Sequence, residues 1–300
     1  MIDVYLVSGF LGSGKTSLLV QLIDQVNKSG RQPAVLMNEF GELNIDSQLV
    51  EEAGDVPLKE LLNGCICCTG AESTEAQLQS LLADYPHIDV LFIETTGAAH
   101  PVEALDAVYS PLFADQLTVK GIVTVVDAKR WIDRDKLSPR MLALFLEQVR
   151  HAHFMLLNKV DLLTADQLAF VTMQVTQFNS FAPLVQTTNA KMDFSYLEKM
   201  VDAASAPTQA VSTGRGLPLA SKVLTFDQPI NQDHFEEWVR SLPDTVYRMK
   251  GYIQLEGSRY SHLFQYAYGM VNWIPEYMQI PSKVVIIGEQ ISNIEYPSPQ

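Results

Sequence analysis

The stretch "GFLGSGKT", Gly9 to Thr16, constrains this chain more than any other. It follows the apolar run "VYLVS" and opens "TSLLVQLIDQVNKSG", in which Leu18, Leu22, Ile23 and Val26 share one helical face and Gly30 ends the pattern. Gly, four residues, then Gly-Lys-Thr between a strand and a helix is a phosphate-binding loop in the context its chemistry requires. Its glycines let backbone N–H groups curl around phosphates, Lys15 can set its ammonium on the β and γ oxygens, and the Thr16 hydroxyl can ligate Mg²⁺. Gly9, Gly12, Ser13, Gly14, Lys15, Thr16 and Ser17 are therefore the expected phosphate-binding residues.

The strand-then-helix alternation continues to about residue 202. "PAVLMN", "VLFIET", "GIVTVVDA" and "HFMLLNK" read as strands, while "STEAQLQSLLADY" and "TADQLAFVTMQVTQF" have helical spacing and open on a Ser or Thr able to cap. This predicts an α/β fold, a doubly wound, mostly parallel P-loop NTPase sheet, over residues 1–203. Residues 204–220, small, polar and broken by Pro and Gly, read as a linker. From 221 to 300, "KVLTF", "TVYRMKGYIQLEG", "HLFQYAYGMV" and "KVVIIGEQI" read as strands and "NQDHFEEWVRSL" as a helix, giving a second, smaller α+β domain. The aromatic residues of that domain sit at strand spacing and read as core and sheet surface rather than a binding box.

The base of a nucleotide is addressed by "NKVD", Asn158 to Asp161, directly after the apolar run "HFMLL". Asp161 can accept hydrogen bonds from N1–H and the exocyclic amine of guanine, whereas adenine offers an acceptor at N1 and no amine beside it. A buried carboxylate that lost both donors would cost several kcal/mol, roughly, so the pattern favours GTP over ATP. "TTNAK", residues 187–191, can back the ring with main-chain N–H groups and Lys191, with Asn189 in the same turn, and reads equally as an ordinary loop.

Between these pieces, "VLFIETTG" ends a strand in Glu94 and Gly97. A carboxylate there can hold Mg²⁺ or its waters, and the Gly97 N–H can sense a γ-phosphate, so Lys15, Thr16, Glu94 and Gly97 form the expected catalytic group. "NEFGELNID" places Glu39, Glu42 and Asp46 where a loop can close on the nucleotide, Asp46 toward Mg²⁺, against the plain reading of a solvated acidic turn. Asp127 ends another strand near the ligand crevice or serves a structural turn. No side chain next to Gly97 is suited to position water, so turnover is expected to be slow without a partner.

Cys65, Cys67 and Cys68 are all the cysteine in the 300 residues, gathered in "LLNGCICCTG". The first residues carry no basic region before the apolar run, so neither a signal peptide nor a membrane span is expected and a cytoplasmic protein is. Thiols stay reduced there, and an odd count fits a disulfide framework poorly, which leaves a metal site or small buried hydrophobes. The formal charge of −14 disfavours nucleic acid and anionic membrane as partners.

Together "GFLGSGKT", "NEFGE", "GCICC", "ETTG" and "NKVD", in that order, closely resemble the CobW-type family of metal-trafficking GTPases, relatives of the hydrogenase and urease nickel-insertion GTPases. "RMKGYIQLEG" and "KVVIIG" resemble that family's C-terminal domain in divergent form. The resemblance implies a metallochaperone that binds Zn²⁺ or Co²⁺ at Cys65, Cys67 and Cys68 and couples GTP binding and hydrolysis to delivery to a client apoprotein. It also implies Glu94 for Mg²⁺, and Asn158, Lys159 and Asp161 for guanine.

Three thiolates select Zn²⁺, Co²⁺ or Cu⁺ over Mg²⁺, and no second Cys or His pair accompanies them, as a closed structural zinc site would require. The fourth ligand can be water, Glu39 or Glu42, a histidine such as His100, or a donor from a second subunit in a homodimer. A γ-phosphate that orders the acidic loop and Gly97 would reshape the thiol site. Many family members carry a histidine-rich stretch, whereas this chain has six histidines and none in its linker. His151 and His153 look like a ligand pair but read as strand-edge residues, with no third ligand nearby. Two other readings stay open: a regulatory GTPase switch with structural or redox-sensing cysteines, and a P-loop enzyme acting on a small substrate.

Overall fold

The computed structural model describes residues 1–37, 57–60, 71–106, 108–200, 219–267 and 269–297. Cys65, Cys67, Cys68, Glu39, Glu42, Asp46 and most of the expected linker lie outside the described residues.

The first unit contains, among the described residues, those of Met1–Val108 and Gln116–Ala203. Its strands are β1 (Ile2–Ser8), β2 (Pro33–Met37), β3 (Leu58–Glu60), β4 (Val90–Glu94), β5 (Leu117–Asp127), β6 (Phe154–Asn158) and β7 (Leu184–Gln186). Its helices are α1 (Lys15–Lys28), α2 (Ala71–Asp84), α3 (Pro101–Asp106), α4 (Ala128–Ile132), α5 (Pro139–Arg150), α6 (Ala165–Phe178) and α7 (Ser195–Glu198). The strands form one seven-stranded sheet in the order β3-β2-β4-β1-β5-β6-β7, with every pairing parallel. The expected doubly wound parallel sheet is therefore the observed one.

Near-continuous apolar strands are what such a sheet needs, because helices cover both faces. In β6 the two-residue period divides the run between two cores: Phe154 and Leu156 pack with Tyr5, Leu19 and Phe92, while Met155 and Leu157 pack with Trp131, Phe145 and Val171. The face predicted for α1 is the buried one, with Leu18, Leu22, Ile23 and Val26. Each such side chain contributes on the order of 1.5–3 kcal/mol by leaving water.

Helix α5 escaped the sequence reading, although its start is signalled locally. Ser138 is the N-cap, its side chain accepting from the Met141 N–H, and Pro139 occupies the first helical position. Strand β1 lies between β4 and β5, and register sets Val7 beside Glu94 and Val123, and Asp127 beside Asn158. The carboxyl ends of four strands thus converge where a doubly wound sheet binds its ligand.

The second unit comprises Tyr109–Asp115 and, among the described residues, the chain from Leu219. Strands β8 (Ala220–Thr225), β9 (Val246–Gln254), β10 (Ser261–Ala267), β11 (Met270–Pro275) and β12 (Lys283–Gly288) pair antiparallel in the order β11-β10-β9-β12-β8. Helix α8 (Gln232–Arg240) buries Phe235, which meets Phe264 edge-on at 4.9 Å between ring centroids. "HLFQYAYGMV", read as one strand, instead folds as a hairpin in which Ala267 pairs with Met270. Lys283 Nζ donates to Asp115 Oδ2 at 2.7 Å, tying the short Tyr109–Asp115 piece to β12. Among the described residues no helix is long and apolar enough to cross a membrane.

Candidate nucleotide and metal sites

The phosphate loop leaves β1 at Ser8 and enters α1 at Lys15. Gly14 has φ 108°, and a Cβ there would lie 2.6 Å from Asn158 Nδ2, so both the backbone angle and the contact require glycine. Ser13 is fully buried, and its Oγ has no protein partner. A buried hydroxyl without a partner in a loop of this shape fits a ligand that accepts hydrogen bonds, as a phosphate does. Lys15 is 8% exposed, and Thr16 Oγ1 donates to Glu94 Oε1 at 3.2 Å, with Glu94 itself buried at the end of β4. A hydroxyl and a carboxylate held this way are a hard oxygen pair suited to Mg²⁺.

At the base end, Asn158 is 2% exposed and bridges two loops. Its Nδ2 donates to the Ser13 carbonyl at 2.8 Å, and its Oδ1 accepts from the Ala190 N–H at 2.9 Å. Lys159 has φ 60°, and its Nζ donates to the Gly12 carbonyl at 2.6 Å and to Asp127 Oδ2 at 2.7 Å. Asn189 and Ala190 are consecutive left-handed residues, φ 57° and 54°, a bend that turns the Ala190 N–H toward Asn158. "TTNAK" is thus joined to the phosphate loop through Asn158. Asp161 lies in the 3₁₀ turn Val160–Leu162 and is exposed, as are Lys191 and Ser17.

Asp127, at the carboxyl end of β5, makes two contacts with protein groups. Its Oδ1 accepts from the Arg130 N–H at 2.9 Å, capping α4, while its Oδ2 holds Lys159.

After β4 the chain runs over the phosphate loop. A Cβ on Gly97 would lie 2.6 Å from the Leu11 backbone N, so the two loops touch main chain to main chain. Gln148 of α5, fully buried, fixes the far side: its Nε2 donates to the carbonyls of Gly97 at 3.1 Å and Ala99 at 3.2 Å. Sequence reasoning missed Gln148, a polar residue in an amphipathic helix that only the fold aims at this loop.

The histidine reading needs correction for His151. His153 does have an edge role, its Nδ1 accepting from the Ile122 N–H at 3.2 Å. His151, however, meets Glu147 one helical turn before it and His100 from distant sequence. The His151 hydrogen bond holds the Glu147 carboxyl below the usual carboxylate range against the opposing effect of partial burial, aided by the charges of His151, Arg150 and His100. His100, one of the fourth-ligand options for the thiols, thus stands with Glu147 and His151.

Known families and proteins match this chain over much of its length. A family described as "CobW/HypB/UreG, nucleotide-binding domain" matches residues 3–186, and one described as "Cobalamin synthesis protein cobW C-terminal domain" matches residues 219–296. The zinc-regulated GTPase metalloprotein activator 1 of Schizosaccharomyces pombe is 32% identical over 198 residues, which cover 64% of this chain and 47% of that protein. The zinc chaperone CobW of Pseudomonas aeruginosa is 34% identical over 200 residues, 58% of this chain and 53% of that one. The chain thus spans about half the length of these two relatives. The zinc chaperone YjiA of Escherichia coli is 28% identical over 282 residues, 88% of this chain and 85% of that protein. The crystal structure of Zn(II)-bound YjiA GTPase from E. coli is similar in fold, with a TM-score of 0.50 and 21% identity, covering 96% of this chain and 94% of that one.

Proposed function

As this chain belongs to the CobW/HypB/UreG family of nucleotide-binding domains, we propose that it is a GTP-hydrolysing metallochaperone that loads Zn²⁺ or Co²⁺ on Cys65, Cys67 and Cys68 and delivers it to a client apoprotein. The observation that carries the nucleotide half is Asn158, which joins the phosphate loop to the base-reading loop. Residues 1–203, apart from the Tyr109–Asp115 piece that groups with the small domain, act as the GTPase, the segment from 204 as linker and Leu219–Gln300 as the small domain, in a cytoplasm that keeps the thiols reduced.

Gly9, Gly12, Ser13, Gly14 and Ser17 would cradle the phosphates, with the ammonium of Lys15 on the β and γ oxygens. Thr16 and Glu94 would hold Mg²⁺, with Asp46 as an outer group, and Mg²⁺ would offset the charge that develops on the transferred phosphoryl. Asp161 would accept from guanine, backed by Asn189 and Lys191, while Lys159 keeps the base and phosphate loops in register through the Gly12 carbonyl. Gly97 would offer its N–H to the γ-phosphate.

Delivery depends on three adjacent thiolates keeping a fourth position open, to be filled by Glu39, Glu42, water or a second subunit. Zinc appears in the names of the relatives, which supports that metal over the alternatives. The test is zinc affinity measured with GDP and with a nonhydrolysable GTP analogue, in the parent and in Cys67→Ser. Coupling requires a difference between nucleotides in the parent and loss of tight binding in the variant. Equal affinities refute coupling, and unchanged metal stoichiometry in Cys67→Ser favours a regulatory switch whose cysteines are structural or redox-sensing.

A further inference from the structure

We propose that His100, Glu147 and His151 form a second metal site, separate from the thiols, that binds a borderline divalent cation such as Zn²⁺ or Co²⁺ and fastens the loop after Gly97 to α5. One ligand atom from each of the three side chains lies within 4.8 Å of the others. Tetrahedral donors about 2.1 Å from a zinc ion sit about 3.4 Å apart, so the cluster is close to binding dimensions. His151 Nε2 and Glu147 Oε2, at 3.0 Å, already have such a spacing. The closure falls to His100, whose ring centroid is 6.0 Å from that of His151.

The donor set identifies the class of ion. Two imidazoles and one carboxylate suit Zn²⁺ or Co²⁺, whereas Mg²⁺ and Ca²⁺ take all-oxygen shells. Three protein ligands leave a fourth position for water or an exchanging donor.

Placement favours binding at small conformational cost. Glu147 and His151 are four residues apart and meet across one helical turn, and His151 is only 2% exposed, so two of three ligands are held before the ion arrives. Arg150 Nη1 stands 3.7 Å from Glu147 Oε1, the oxygen away from His151, and its side chain is 38% exposed and can turn to water. His100 Nδ1 accepts from the Val102 N–H at 3.3 Å, a long bond.

The position gives the site its consequence. Gln148, between the ligands in sequence, already holds the carbonyls of Gly97 and Ala99, and Gly97 lies against Leu11 of the phosphate loop. An ion bridging His100 to α5 adds a third tie to a loop that touches the phosphate loop. Occupancy and nucleotide affinity must then influence each other reciprocally.

The test uses the full chain, free of any tag, with Cys65, Cys67 and Cys68 all changed to Ser. Titration with Co²⁺ should saturate at one equivalent with the visible d–d bands of four-coordinate cobalt and no thiolate-to-cobalt charge transfer. Glu147→Gln and His100→Ala, both at partly exposed positions, should each weaken binding about tenfold or more, with circular dichroism confirming the fold. Arg150→Ala should leave Co²⁺ affinity equal or higher. Release of a fluorescent GDP analogue should change with Co²⁺ in the thiol-free protein and not in its Glu147→Gln form. Absence of saturable binding in the thiol-free protein, binding indifferent to both ligand variants, or GDP release unmoved by Co²⁺ would overturn the proposal. The thiol site is read separately in the parent by its charge-transfer bands, so either site can fail alone.

Discussion

Changing Asn158 to Ala removes, in one step, the two hydrogen bonds that join the phosphate loop to the 187–191 loop. The groups left behind are the Ser13 carbonyl and the Ala190 N–H, both in residues with no exposure to solvent. Leaving a buried donor or acceptor unsatisfied costs about 1–3 kcal/mol. The carbonyl retains a second lone pair and falls at the low end, while the N–H, with one proton to give, falls higher. A loss of about 2–4 kcal/mol follows. For a unit of roughly 200 residues each kcal/mol lowers Tm by about 2–4 °C, so the shift should be roughly 4–16 °C. Asn158→Asp is the discriminating partner: it keeps the acceptor for Ala190 but sets a carboxylate against the Ser13 carbonyl, so it should destabilise at least as much. Thermal unfolding of the nucleotide-free protein followed by near-ultraviolet circular dichroism reads both, and affinity for a fluorescent GDP analogue should fall about tenfold or more as the loops lose their register. A Tm within 2 °C of the parent for Asn158→Ala, or a well-tolerated Asp, would refute the account of Asn158 as a buried bridge.

Three further outcomes are expected. Asp161→Asn should weaken GDP binding about a hundredfold or more, because a charged acceptor of two hydrogen bonds becomes a neutral acceptor of one. Its new amide can donate to the second carbonyl of xanthine, so competition by xanthosine diphosphate checks the assignment. Gly97→Ala forces a Cβ to 2.6 Å from the Leu11 backbone N, and the loop must shift; steady-state GTP hydrolysis should fall by a larger factor than GDP affinity. Burial pushes the Tyr109 phenol above its ordinary 10.0, partly countered by its Ser221 hydrogen bond. The unfolded chain then ionises first, so this group's contribution is full below pH 10 and is lost as pH rises above it. Tyr109→Phe should accordingly show a shallower alkaline decline in urea-unfolding stability between about pH 9 and 11.

The elements legible in the sequence were those whose signals are local. The alternation of apolar strands with helical faces predicted the parallel sheet, because strands buried on both sides are apolar throughout and helices cover them with one face only. The hairpin inside "HLFQYAYGMV" was hidden, since both of its strands and its turn read as one apolar-aromatic run. Helix α5 carried a cap and a proline at its start, yet its tie to the loop after β4 is made by Gln148, whose partners Gly97 and Ala99 come from elsewhere in the chain.

The sequence by itself determined the phosphate loop, the base-reading motif and the strand end at Glu94, because each is a run of neighbouring residues whose backbone shape and donor set follow from residue type. Only the tertiary structure decided that Asn158 spans 145 residues to reach Ser13, that Gln148 holds a loop 51 residues away, and that His100 meets Glu147 and His151. A motif fixes its own geometry through φ, ψ and reach along a few residues. Contacts between distant segments depend on sheet order and helix docking, which arise from the sum of many weak burials and are inscribed at no single position.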